Sequence, residues 1–253
     1  MRLQEMLSTL DRVLRGDAGG PGREQAPEPR ATARLMVALA LLLGGIYGLS
    51  LGACSLFRGA DHAWLQAFAS AMKVPLLFLL TLLVTFPSLY VFAALKRLPL
   101  GLRATLRMLL TAIVVHTAVL AGLAPVFAFF AASTDSYEFM LLLNVAFFTI
   151  GGLLGLSTLR RMTAAVLPIT SVVGPVAEAG PEAKPVRPAV PVAELEAHRL
   201  LGLWGFVYGV VGAQMAWLLR PFVGTPNLEF AWFRPREDNV FLGLVRVIGA
   251  LFS

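Results

Sequence analysis

The chain has 253 residues, of which 57% are hydrophobic and 14% are charged. Soluble domains carry about 25% charged residues, so this composition excludes an ordinary soluble protein. The net charge of +6 does not indicate a nucleic-acid partner, because no basic stretch is interleaved with aromatic residues as a binding face requires.

Two amino-terminal segments precede the apolar part of the chain. Residues 1–15 predict an amphipathic helix, because their apolar side chains recur at helical spacing. Two interpretations of this helix stay open: it lies on the membrane surface, or it docks on a partner. Residues 16–33 are rich in Gly, Pro and polar residues and predict a flexible linker. The apolar face of the helix contains Leu3, Met6, Leu7, Leu10, Val13 and Leu14.

Five long apolar blocks follow the linker. Each is long enough to cross a hydrocarbon core of ~30 Å as a helix rising 1.5 Å per residue. The predicted fold class is therefore an all-α polytopic membrane protein: a bundle of five transmembrane helices, with interfacial helices on the outer side and at the N-terminus. The blocks lie at about residues 35–57, 74–95, 105–131, 138–159 and 199–219.

The blocks divide the rest of the chain into three regions. Residues 34–161 predict a four-helix transmembrane region, and residues 162–197 predict a Pro-rich cytoplasmic loop. Residues 198–253 hold the fifth transmembrane helix and an outer carboxyl-terminal segment, residues 220–253, that we call the cap. Residues 58–73 predict a separate interfacial helix with Asp61 as its N-cap. The last residues, 239–253, are expected along the outer leaflet or against the bundle.

The distribution of Lys and Arg predicts the orientation. The successive connections, starting with the amino-terminal segment, carry six, two, four, none and five of these residues, and the cap carries four. Cytoplasmic segments are the basic ones, so the N-terminus is expected in the cytoplasm and the C-terminus outside. Arg greatly exceeds Lys, and Ala, Gly and Pro are abundant, which is typical of a GC-rich bacterial genome. We therefore expect a bacterial inner membrane, with anionic lipid headgroups as contacts of the basic segments.

Few polar side chains lie inside the predicted spans. His116 is the only ionisable group near the midplane. It is interpreted either as a proton relay or ligand contact, or as a neutral side chain bonded to a neighbouring helix, for example through Thr85. Asn144 and Gln214 are expected at the same depth, where their carboxamides could pair between the fourth and fifth helices and stabilise the bundle by roughly 1 kcal/mol.

Glycines recur at helix-packing spacing in three of the blocks. Small residues let helix backbones approach closely in a membrane, where van der Waals packing drives association. The fifth block's glycines follow a heptad rhythm that predicts one continuous seam. Two interpretations stay open: packing inside one bundle, or a seam facing another subunit. The glycines are Gly44, Gly48 and Gly52, then Gly151 and Gly155, then Gly202, Gly205, Gly209 and Gly212.

The start of the cap carries the most specific pattern. Pro221 ends the helix, Trp217 and Phe222 suit headgroup depth, and Arg220 and Arg234 contribute to a charged cluster. The stretch resembles the C-terminal part of an uncharacterised group of bacterial multi-pass membrane proteins, and the five-span count is similar to Yip1-type membrane proteins in architecture alone. The points of resemblance are Gly212, Gln214, Trp217, Leu219, Arg220, Pro221, Phe222, Gly224, Pro226, Phe233, Arg234 and Asn239.

These observations predict a scaffold or accessory subunit of a membrane complex, with a protein partner or a second copy of the chain as its contact. The alternative is a small-solute or lipid transporter with a polar pocket near His116, Asn144 and Gln214. An enzyme acting on lipid-linked substrates ranks third, because no catalytic motif is present. Cys54 is the only cysteine and no His or Cys stands at ligand spacing, so neither a metal nor a cofactor is expected.

Overall fold

Six α-helices cover most of the residues that the structure describes. The computed structural model describes residues 3–15, 29–57, 63–96, 101–134, 136–166 and 192–222, together with 231–233, 241–243, 245 and 249. The helices are α1 (Leu3–Leu14), α2 (Pro29–Phe57), α3 (Ala63–Leu95), α4 (Leu102–Ser133), α5 (Tyr137–Val166) and α6 (Val192–Leu219).

Five of these helices, α2 to α6, are long and apolar enough to cross a membrane. They confirm the predicted all-α bundle of five spans. Helix α2 packs against α3 and α4, α4 packs against α5, and α6 lies mainly against α3 with a smaller contact to α5. The shared core lies where these helices face one another, and the outward faces carry large exposed apolar side chains, as lipid contact requires.

The bundle has two ends. The C-termini of α2 and α6 and the N-terminus of α3 lie at one end, the cap end. The C-terminus of α3 and the N-terminus of α6 lie at the other, the loop end. An ion pair between Lys96 and Glu196, 2.8 Å long, joins α3 to α6 at the loop end. Helix α1 contacts α4 and α2. Its Thr9 and Val13 are buried, whereas Leu7 and Leu14 stay more than half exposed, so the predicted amphipathic helix covers its own bundle with part of its apolar face.

Some predicted boundaries move outward into the connections. Helix α2 begins at Pro29, inside the predicted linker, because proline is well suited to the first turn of a helix. Helix α5 continues to Val166 and α6 begins at Val192, so both edges of the predicted Pro-rich loop are helical. The rest of the linker and loop lies outside the described residues.

The predicted interfacial segment at residues 58–73 is helical from Ala63 onward, but it is not a separate helix. Helix α3 runs without interruption from Ala63 to Leu95 and passes through Pro75 and Pro87. Its 33 residues span about 50 Å, more than a hydrocarbon core of ~30 Å, so its first turns extend beyond the apolar block at the cap end. Asp61, the predicted N-cap, lies outside the described residues.

Candidate functional site at the cap end

The first turns of α3 have an apolar face and a polar face. Trp64, Phe68 and Met72 lie on one face and are 65%, 55% and 55% exposed, which suits side chains at the lipid surface. The opposite face carries a buried set of hydrogen-bond donors. This set, the donor stripe, consists of Gln66, Ser70 and Lys73, which stand one and two turns apart and are 5%, 0% and 3% exposed.

Lys73 holds two separate pieces of the cap. Its ammonium donates a hydrogen bond to the carbonyl oxygen of Pro221 at 3.2 Å and a second one to the carbonyl oxygen of Trp232. The same ammonium lies 5.3 Å from the centre of the Phe233 ring, within range of a cation–π attraction. A buried cation is costly unless its hydrogen bonds are made; here main-chain oxygens and an aromatic face supply them.

Gln66 and Ser70 complete the attachment of the cap. The Gln66 amide nitrogen donates to the carbonyl oxygens of Pro221 and Phe222, both at 3.2 Å, and to the Ser70 hydroxyl oxygen at 3.2 Å. The Ser70 hydroxyl in turn donates to the Phe222 carbonyl oxygen. All of these cap acceptors are main-chain atoms, so the stripe fixes the path of the main chain.

The predicted cap residues lie together where α6 ends. The Arg220 guanidinium stacks 3.8 Å from the centre of the Trp217 ring, and the peptide bond between Arg220 and Pro221 is cis. Phe222 is partly buried and packs against the core. Arg234, the remaining predicted member, lies outside the described residues. The sequence thus predicts where the cap begins, but it does not predict that the donor stripe binds the cap.

One signal in the sequence marks the donor stripe. Gln66, Ser70 and Lys73 follow helical spacing opposite the apolar residues Trp64, Phe68 and Met72. Lys73 is also one of the two basic residues of the connection between the first two predicted spans. A polar stripe with the same helical period predicts a partner for that face.

His116 is buried between α4 and α5 in an aromatic setting. Its ring centre lies 4.4 Å from that of Phe78 and 6.0 Å from that of Phe148. Its Nε2 atom has no hydrogen-bond partner among the described residues. The predicted bond to Thr85 is not made; the Thr85 hydroxyl donates to the Thr81 carbonyl oxygen within α3.

Asn144 pairs with a different helix from the one predicted. Its side-chain oxygen accepts a hydrogen bond from the Tyr47 hydroxyl of α2 at 3.0 Å. The predicted pairing with Gln214 does not form in the described chain. Helix α6 contacts α5 at Gly202 and Gly205, but near Gln214 it faces α3 through Gly212. Tyr47 also contacts Phe148, which links Asn144 to the aromatic surroundings of His116. No hydrogen bond joins Gln214 to this group within the described chain.

Two of the predicted glycine sets pack inside the bundle. A Cβ atom on Gly48 would lie 2.7 Å from Ala71 Cα, and one on Gly52 would lie 2.9 Å from Ala67 N. At Gly44 the contact is less tight, with Pro75 Cβ at 3.1 Å. These glycines bring α2 against the first half of α3 and so support the segment that carries the donor stripe. Gly151 and Gly155 face His116 and Ala112 of α4 in the same manner.

The predicted single seam on α6 is divided. Gly202 and Gly205 face Arg160 and Leu156 of α5, whereas Gly212 faces Thr81 of α3. A Cβ atom on Gly209 would meet no atom within 4 Å. Beyond Gly205, therefore, α6 leaves α5 and follows α3. Two hydrogen bonds also join α6 to α3: Trp204 donates to the Thr85 carbonyl oxygen and Tyr208 to that of Phe78.

The contact between His116 and Gly151 predicts a compensating pair of substitutions. Gly151→Ala places a methyl group 2.5 Å from His116 Cδ2, and such overpacking costs about 1–3 kcal/mol. In a His116→Ala background the ring is gone and the nearest remaining atom is the carbonyl oxygen of residue 116 at 3.3 Å, so most of the cost of Gly151→Ala should vanish. Thermal unfolding of the four proteins in detergent measures this coupling, and additive effects would contradict the packing described.

The five spans and their polar contacts define the class: a multi-pass α-helical membrane protein. No family model matches the chain, and no curated protein or solved structure matches it. The resemblance of the C-terminal stretch to a group of bacterial membrane proteins stays a prediction.

Proposed function

We propose that the protein is a scaffold or accessory subunit of a membrane complex that presents its cap end to a protein partner. The observation that carries the proposal is the attachment of the cap by the donor stripe. Because Lys73 binds main-chain oxygens of Pro221 and Trp232, the main chain of the cap is held in place against α3. Trp232 and Phe233 are 46% and 62% exposed, and aromatic side chains are favoured at protein interfaces.

Polar groups within the spans support the same proposal. Tyr47 and Asn144 bond α2 to α5, and Trp204 and Tyr208 bond α6 to α3. Each of these contacts stabilises the arrangement of helices, as a structural role requires.

Orientation is part of the proposal. The alternation of basic and less basic connections supports a cytoplasmic N-terminus and an outer cap in a bacterial inner membrane. The loop end then faces the cytoplasm, where Arg103, Arg107 and Arg160 are exposed and suited to anionic lipid headgroups.

Cross-linking and co-purification from native membranes tests the proposal. We expect one protein to co-purify reproducibly with the wild-type chain and to be lost from Lys73→Met, whose cap is released. Lys96→Met removes an equal charge at the loop end and should keep the partner. Recovery of the wild-type chain without any cross-linked protein would contradict the scaffold function.

A second candidate, a small-solute or lipid carrier, is favoured by one observation. The buried His116 Nε2 atom lacks a hydrogen-bond partner among the described residues, as a ligand contact would before the ligand arrives. Asn144, however, already binds Tyr47. Transfer of a fluorescent lipid across reconstituted vesicles tests this candidate: a carrier should lose the activity in His116→Leu, and absence of transfer by the wild type would count against a lipid carrier.

A further inference from the structure

Gln214 is a polar side chain on the membrane-spanning part of α6 whose predicted partner is already occupied. It lies five residues before the end of α6 at Leu219, about 8 Å along the helix axis. Its side chain is half-buried and makes no hydrogen bond within the described chain. A carboxamide in apolar surroundings is costly unless its donor and acceptor are used, so this position calls for a partner.

The contacts of α6 show which way Gln214 faces. Gly205 packs against Leu156 of α5, and Gln214 lies half a turn around the helix from Gly205. Trp204 and Tyr208 bond to α3, and Gln214 lies about a third of a turn from the face they form. Gln214 is therefore directed away from the faces of α6 that contact α5 and α3.

Three apolar residues share this outward face. Leu203, Val207, Val210 and Gln214 follow a four-three-four spacing, which keeps them on one face and is the pattern of paired helices. We call these residues the α6 stripe. Leu203 and Val207 are 65% and 39% exposed, and Val210 and Gln214 are half-buried. The stripe is thus a continuous surface with one polar group.

We propose that the α6 stripe pairs with the same stripe of a second copy of the chain, with the two Gln214 carboxamides hydrogen-bonded to each other. A carboxamide is both donor and acceptor, so it is complementary to itself. Two copies inserted in one orientation have parallel α6 helices, and a two-fold axis brings equivalent residues together. The pairing deepens the scaffold function proposed above and rests on it.

Disulfide cross-linking in native membranes tests the geometry. In a Cys54→Ser background, each stripe residue is replaced by cysteine in turn and the membranes are oxidised. We expect covalent dimers from Val207→Cys, Val210→Cys and Gln214→Cys. Leu153→Cys is the matched control, because Leu153 is 63% exposed on α5. Equal cross-linking from the control, or no dimer from any stripe position, would overturn the proposal.

A second measurement tests the hydrogen bond itself. Gln214→Leu should weaken dimerisation about tenfold, whereas Gln214→Asn, which keeps the carboxamide, should retain most of it. The readout is the dimer fraction in vesicles as the protein is diluted in lipid. Unchanged dimerisation of Gln214→Leu would overturn the assigned role of the side chain. Cross-linking of the stripe to a different protein would overturn self-pairing and leave the scaffold function standing.

Discussion

Lys73→Met should release the cap from α3 and lower the free energy of unfolding by roughly 2 kcal/mol. The substitution keeps the length and apolar stem of the side chain but removes a buried ammonium, 3% exposed as a residue, that donates to the carbonyl oxygens of Pro221 and Trp232. Those oxygens then lose a charged donor at a site that holds two pieces of chain together. Thermal unfolding in detergent measures the loss of stability. Limited chymotrypsin digestion measures release of the cap, through faster cleavage after Phe222 and Trp232.

The matched control for this prediction is Lys96→Met. Lys96 is 56% exposed and pairs with Glu196 at the loop end, and exposed ion pairs contribute about 0–1 kcal/mol. This variant should leave the digestion pattern at the cap unchanged. If both variants had the same effect, or if Lys73→Met left cap cleavage unchanged, the donor stripe would not be what holds the cap.

Gly52→Ala should destabilise the bundle by about 2 kcal/mol or more. The added methyl group would overlap the Ala67 backbone, with its carbon 2.9 Å from Ala67 N, and backbone atoms of a packed helix cannot move aside as a flexible side chain can. The α2–α3 contact would have to open next to Gln66 and Ser70. Unfolding of the purified protein in detergent micelles measures the effect, and faster cap digestion should accompany it.

Gly122→Ala provides the control for the glycine prediction. Gly122 also lies within a helix, α4, but a Cβ atom there meets nothing within 4 Å. Alanine favours a helix over glycine by about 1 kcal/mol, so this variant should be neutral or more stable. A Gly52→Ala protein as stable as Gly122→Ala would contradict the close approach of α2 and α3.

The sequence was sufficient to predict the spans and the presence of tightly packed glycines. Long apolar blocks determine the spans because length and hydropathy suffice to cross a bilayer. The spacing of Gly48 and Gly52 alone predicts that these glycines lie at a tight helix–helix contact. It does not predict which helix each glycine contacts, since hydropathy carries no information on the lateral order of helices.

The same limitation explains the errors at the polar residues. Asn144 and Gln214 were paired by depth, but α2 is the helix that brings Tyr47 to Asn144. The apolar block at residues 74–95 begins just after Lys73, so the sequence places this charge at the membrane boundary. Helix α3 continues across that boundary through Pro75, which places Lys73 under the cap. The glycines of α6 were predicted to form one seam, but α6 contacts both α5 and α3.

Photo-cross-linking from Phe233 in native membranes tests the central claim most directly, namely that the cap end is a protein-contact surface held by the donor stripe. Phe233 is 62% exposed beside Lys73; the comparison position is Leu83, 69% exposed on the side of α3. The claim predicts a discrete protein adduct from a photoreactive residue at Phe233, its loss in Lys73→Met, and no such adduct from Leu83. Adducts with lipid alone at both positions would contradict it.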